Sequence, residues 1–194
     1  IDTGFLGTGI GAGHELKGGS GDDLIFGNAG NDDIYGRGGH DAQSGGSGND
    51  EFHDVDAADL DGTHPLDGVP SIDGGSGKDT VDLHHLATFD SSQAERMVNV
   101  EVLDFTGKAD DKGGTDVTLS YDAVYGITQV GGLYALSITG DTFGAGKDTV
   151  HLDATGGHTW ALTDTKGGFD TYEAGPAGAV VTVKVEDNIH VTVN

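Results

Sequence analysis

The chain has 194 residues, with 33 acidic against 9 basic side chains, a formal net charge of -24 and no cysteine. That balance argues against nucleic acid and anionic membrane as partners, and the missing thiols exclude a disulfide framework. With 36 glycines and only 7% aromatic residues, the polypeptide has a large ordering entropy and little apolar surface to offset it, so bound cations are expected to supply part of the stability.

No run of about 18 apolar residues occurs, so no membrane insertion is expected. The chain opens at Ile1 with neither methionine nor an apolar leader, as expected of a piece cut from something longer. Residues 1–17 are glycine-rich. Gly9 to Lys17 fits a nine-residue frame only with Ala12 and His14 at glycine and aspartate positions, though Leu16 suits its apolar slot. The stretch reads as a degenerate half-coil that caps the repeats beginning at Gly18.

Residues 18–53 carry that frame four times without a gap, in blocks opening at Gly18, Gly27, Gly36 and Gly45, and a fifth copy opens at Gly74. The pattern is G-G-x-G-x-D-x-U-x, with U a large apolar residue. Its aspartate never fails (Asp23, Asp32, Asp41, Asp50, Asp79), whereas the apolar slot holds Ile25, Ile34, Phe52 and Val81 and lapses once, at Gln43. Six glycine-rich residues let the backbone turn through positive φ and aim carbonyls inward, and three more form a short strand that buries one side chain. Each unit is then half a coil. Turns two units apart stack, which pairs Asp23 with Asp41 on one edge and Asp32 with Asp50 on the other. Carboxylates and carbonyls without nitrogen or sulfur form a hard oxygen cage suited to Ca²⁺.

The candidate ligands in the first two units are Gly18, Ser20, Asp22, Asp23, Gly27, Ala29, Asn31 and Asp32. The next units offer Gly36, Gly38, His40, Asp41, Gly45, Ser47, Asn49, Asp50, Gly74, Ser76 and Asp79. Several ions are expected. The repeat resembles the calcium-binding nonapeptide of RTX proteins. That resemblance implies an all-β fold, a calcium-bound parallel β-roll (RTX solenoid) continuing into a β-rich C-terminal capping region.

Residues 54–73 interrupt the array. From Asp50 to Asp79 is 29 residues, which leaves the fifth copy out of phase unless the insert loops out. Asp54, Asp56, Asp59 and Asp61 fail as an EF-hand loop, because Ala58 takes the third ligand position and no glutamate closes twelve residues. A solvated acidic loop is expected, with a loose accessory calcium site as the alternative.

Residues 74–194 hold the last repeat and then short one-sided strands around Val81, Val98–Val102, Val117–Leu119, Tyr134–Ile138, Val150–Leu152 and Trp160–Leu162. Asp90 to Met97 is expected to form one or two helical turns capped by Ser91 or Ser92, with everything else β. Val181–Val185 and Ile189–Val193 read as a terminal hairpin turning through Asp187-Asn188. His84-His85 reads as strand neighbours on opposite faces, so no shared zinc is expected. Gly144–Leu152 echoes Gly75–Leu83, which makes Asp148 a further candidate ligand, and Gly167–Tyr172 reads as a shortened third version.

Asn99–Gly107, Asp116–Leu119, Leu136–Asp141 and the closing Val185–Val193, coming after the repeats, resemble the C-terminal target region of large RTX adhesins exported by type I secretion. The departures are Arg37 at a usual glycine, Gln43, and the insert at 54–73. The resemblance implies as partners an ABC transporter, an adaptor and an outer-membrane channel that read an uncleaved C-terminal signal. It further implies adhesive modules upstream and a place secreted from, or on the surface of, a Gram-negative bacterium. No enzyme activity is expected: H-E-x-x-H and G-x-S-x-G are both missing, and the run Gly144–Thr149 departs from a phosphate-binding loop at Asp148. The alternative is a surface- or glycan-binding module in which Tyr121, Tyr125, Tyr134, Trp160 and Tyr172 stack on sugar.

Overall fold

A computed structural model describes residues 6–8, 13–63, 70–107, 114–128, 135–140, 147–154, 156–177 and 179–194. Strands β1 (Leu6–Thr8), β2 (Glu15–Lys17), β3 (Leu24–Ala29), β4 (Asp33–Tyr35), β5 (Ala42–Ser47), β6 (Glu51–His53), β7 (Ile72–Ser76) and β8 (Thr80–Asp82) alternate between two sheets. From β1 to β6 each pairs in parallel with the strand two places on, so Ile34 sits beside Phe52 and Ile25 beside Gln43, while β7 pairs with β10 and β8 with β11. The cause is the nonapeptide itself. Position four turns through positive φ at Gly30, Gly39, Gly48 and Gly77 (117 to 143°), a region that glycine enters without a side-chain clash. A lap of two units then returns the chain to the same sheet.

Beyond β8 a third sheet joins. The chain runs through β9 (Thr88–Asp90), α1 (Ser91–Ala94), β10 (Met97–Val98), β11 (Val102–Asp104), β12 (Asp116–Ser120), α2 (Tyr121–Ile127), β13 (Ala135–Thr139) and β14 (Thr149–Asp153). It closes with β15 (Ala161–Lys166), β16 (Phe169–Ala174), β17 (Val181–Glu186) and β18 (His190–Val193). The sheet orders are β1-β3-β5-β7-β10, then β2-β4-β6-β8-β11-β13-β17-β16-β15, and β9-β12-β14-β18. Among the described residues only the β15–β16 and β16–β17 pairings are antiparallel.

One inward column runs through the second sheet from Leu16 through Ile34, Phe52, Val81, Leu103 and Ile138 to Val185. All but the partly covered Leu16 are fully buried. The first sheet answers with Ile25, Gln43, Ile72 and Met97. Gln43 is buried with both amide atoms unpartnered, so a polar group sits in an otherwise apolar column.

The fifth copy keeps phase, as looping-out of the insert allows: Ser47 pairs with Ser76 and Phe52 with Val81, so this lap spans 29 residues where the regular one spans 18. Other expectations are corrected. The terminal hairpin does not form, since β17 pairs with β13 and β16 while β18 pairs with β14 in another sheet. Strict apolar alternation satisfies two strands at a corner as well as two across a hairpin. Gly167 and Gly168 turn the antiparallel β15–β16 hairpin instead of a shortened repeat. Asp90, not a serine, caps α1 through a capping box with Gln93.

Helix α2 breaks the all-strand reading after Gly74. Ser120 caps it, its buried face is Tyr121, Ala123, Val124 and Ile127, and it packs on β10 at the end of the first sheet. His84 and His85 occupy a turn after β8, with ring centroids 3.6 Å apart, not opposite faces of a strand. Tyr121, Trp160 and Tyr172 are buried in the core and present no stacking platform, and Tyr134 lies outside the described residues. Among the described residues no helix is long and apolar enough to cross a membrane.

Candidate metal centre

The repeat aspartates line the two edges where the chain passes between the first two sheets. Each is buried, and on each edge they are joined by hydrogen bonds that skip one unit. On one edge the Asp23 amide donates to Asp41 Oδ1 at 2.9 Å, and the Asp41 amide donates to Asp59 Oδ1 at 2.8 Å. On the other the His14 amide donates to Asp32 at 2.6 Å, Asp32 to Asp50 and Asp50 to Asp79 at 2.8 Å, and Asp79 to Glu101 Oε2 at 2.9 Å. Spacing alone pairs Asp23 with Asp41 and Asp32 with Asp50, and the structure joins both pairs.

A second ladder runs the opposite way from the preceding residue of each unit. Asp22 Oδ1 accepts from the His40 amide, Asn31 from Asn49, and Asn49 from Lys78, each at 2.9 Å. Position five therefore holds the next lap and position six the previous one. These side-chain oxygens are committed to the backbone, which leaves position five its carbonyl as a prospective donor.

The second carboxylate oxygen carries the chemical information. Oδ2 of Asp32, Asp41, Asp50 and Asp79 is buried with no hydrogen-bond partner. Each folds over the first glycine of its own unit: a Cβ on Gly27 would lie 2.5 Å from Asp32 Oδ2, on Gly36 2.5 Å from Asp41 Oδ2, and on Gly74 2.8 Å from Asp79 Oδ2. Glycine is required there because any side chain fills the space the carboxylate uses. A buried anionic oxygen without a partner costs several kcal/mol, and among the described residues no lysine or arginine pairs with these four. Burial pushes the Asp41 and Asp79 carboxyls up to about 7, against the pull of the amides bonded to them, and neighbouring carboxylates add to the rise. Asp59 is pushed up to about 6, and Asp50 and Glu101 are raised, again chiefly by burial. Oxygen-only donors with uncompensated charge fit a hard divalent cation such as Ca²⁺.

Of the first glycines and the third and fifth positions, Gly27, Gly45 and Gly74 fall within β3, β5 and β7, whose register stacks Ala29, Ser47 and Ser76 side by side at their ends, whereas Gly18, Ser20, Gly36, Gly38, His40 and Asn49 fall in the turns between strands. One of them is engaged by a cation. Arg37, at φ 75°, donates from Nη1 to the Gly18 carbonyl at 3.2 Å, which places a positive charge against that donor.

Asp148 joins neither pair. It accepts from the Thr115 amide at 2.7 Å, and its Oδ2 faces Gly140, at the entry to the third sheet. Two members of the ladders escape the motif. Asp59, in the insert read as a solvated loop, is buried and stands 18 residues after Asp41, a spacing that was available to find it. Glu101 lies 22 residues beyond Asp79 and leaves no periodic signal.

Comparison with known proteins agrees with the geometry. Residues 15–43 match the family model described as the RTX calcium-binding nonapeptide repeat (4 copies). The match covers 29 of the 194 residues, and this stretch is similar to the RTX calcium-binding repeat. No curated protein and no solved structure matches the chain. The RTX repeat is tied to Ca²⁺, and the matched segment holds Asp23, Asp32 and Asp41 together with the turns between them.

Proposed function

We propose that the first two sheets form a calcium-bound parallel β-roll whose folding depends on the ion, and that the chain serves as a non-catalytic folding and secretion module of an RTX adhesin. The observation that carries the calcium reading is the set of four buried Oδ2 atoms without partners. The ions would be held by Asp32, Asp41, Asp50, Asp79 and Asp23 with carbonyls of the intervening turns, and Ca²⁺ would supply the positive charge these carboxylates lack. The protein's own part is to fold each carboxylate over a glycine, fix one oxygen with an amide from the previous lap, and exclude water from the other. At a concentration ~100 times the dissociation constant each site adds about 2.7 kcal/mol, so a few sites rival the stability of an ordinary domain.

The net charge of -24 supports a chain that stays extended where free calcium is scarce and folds where calcium is millimolar, the affinity range of extracellular modules. The likeness of residues 99–193 to type I secretion target regions supports export to the medium or the cell surface through a transporter, adaptor and outer-membrane channel. Calcium titration of the purified chain, followed by circular dichroism and reversed with EGTA, tests the first part. The expected result is a β spectrum that appears with calcium and collapses on chelation; an unchanged spectrum and melting point in excess EGTA overturns it. For the export part, pulse-chase secretion is expected to slow without external calcium, and equal rates would remove it.

A further inference from the structure

The outward face of the second sheet carries a group that the calcium repeats do not use. Asp33 on β4 lies beside Glu51 on β6, and His53 sits two residues farther along the same face. One ligand atom from each of Asp33, Glu51 and His53 falls within 4.8 Å of the other two. We propose that these three side chains form a site for a transition-metal dication of the zinc class, separate from the oxygen cages at the sheet edges.

The arrangement around His53 sets it apart from a chance gathering of acids. Its ring stacks on Tyr35 with centroids 4.5 Å apart and planes 17° from parallel, so its direction is fixed. Nδ1 faces Asp82 Oδ2 at 3.7 Å and Nε2 faces Glu51 Oε2 at 3.7 Å. Asp82 is itself held by His84 Nδ1 at its other oxygen. The two ring nitrogens each face a carboxylate; with a metal at Nε2, on the Glu51 side, Asp82 behind Nδ1 would hold the ring proton there, the carboxylate–histidine arrangement that metal-binding histidines almost always show.

Charge points the same way. Glu15, Asp33 and Glu51 stand side by side on successive strands, and like charges directly across strands destabilise a sheet. Lys17 is taken by Glu15, and among the described residues no lysine or arginine pairs with Asp33 or Glu51. A dication between them relieves the repulsion. The donor set of one imidazole nitrogen and two carboxylates selects Zn²⁺ and its neighbours over Ca²⁺, leaving further positions to water.

The test is isothermal titration of the full chain with Zn²⁺ in excess calcium, comparing wild type with His53→Ala, Asp82→Asn and a control, His190→Ala. Circular dichroism confirms that each variant is folded. His53→Ala is expected to lose one equivalent of zinc that His190→Ala retains, and Asp82→Asn to bind that equivalent ~10- to 100-fold more weakly. In imidazole ¹⁵N spectra, zinc is expected to shift His53 Nε2 while Nδ1 keeps its proton. Unchanged zinc stoichiometry and affinity in His53→Ala, or displacement of the zinc by millimolar calcium, overturns the proposal. Because the readout is zinc, a chain that ignores calcium yet shows the His53-dependent equivalent fails the calcium reading alone.

Discussion

Replacing Asp41 by asparagine separates two opposite roles of one carboxyl. In the folded chain Asp41 Oδ1 accepts the Asp23 amide at 2.9 Å, a bond the asparagine carbonyl keeps, while the partnerless Oδ2 becomes a neutral amide. Without calcium and at pH 8, the buried carboxylate is a liability. Its pKa rises from 3.8 to about 7, and a rise of roughly three units corresponds to about 4 kcal/mol. Asp41→Asn is therefore expected to stabilise the calcium-free fold by up to about 4 kcal/mol at pH 8 and by less than about 2 kcal/mol at pH 5, where the folded wild-type carboxyl is protonated but the unfolded one, at 3.8, is not. In calcium that gain shrinks by about 2.7 kcal/mol at 100-fold saturation, because the variant site loses its charge and with it the ion. Urea unfolding by circular dichroism, at both pH values with EGTA and with saturating calcium, measures all four quantities. A gain at pH 8 that calcium leaves undiminished would refute the reasoning.

Two further outcomes concern neighbouring residues. Asp41 and Asp79 near 7 and Asp59 near 6 mean that the empty fold binds more protons than the unfolded chain between pH 3.8 and 7. Its stability therefore falls as pH rises through that window, whereas calcium affinity, measured by titration at pH 6 and pH 8, is expected to increase. Gln43→Leu fills the apolar slot between Ile25 and Ile72 and removes two unpartnered buried atoms. The variant is expected to gain about 1–3 kcal/mol in urea unfolding with or without calcium, and a loss would show that the amide has a partner in solution.

The sequence is most informative where the nonapeptide is unbroken. Between Gly18 and His53 its period fixes both strand register and edge, because one residue of slip would turn every buried side chain outward. Asp59 extends that period beyond the motif, but the glycines that flag a repeat are missing around it, and the acidic composition of the insert points to solvent. Glu101 enters through a lap of irregular length, a matter of loop closure that no spacing records. The end of the chain misleads for a different reason. Val181–Val193 has the alternation of a hairpin, and only the strands already laid down, β13 and β14, decide that its two halves go to separate sheets. Helix α2 was legible in part, since Ser120 precedes apolar residues at helical spacing, yet Tyr, Val and Ile favour strands equally well.

The amide-to-carboxylate steps reach one lap in each direction and no farther. Such a chain behaves as a row whose members are coupled only to adjacent members, so damage at Asp32 is felt at His14 and Asp50 before it is felt at Glu101. Order then spreads like a zipper from whichever lap closes first, and unravelling starts at the two outermost laps.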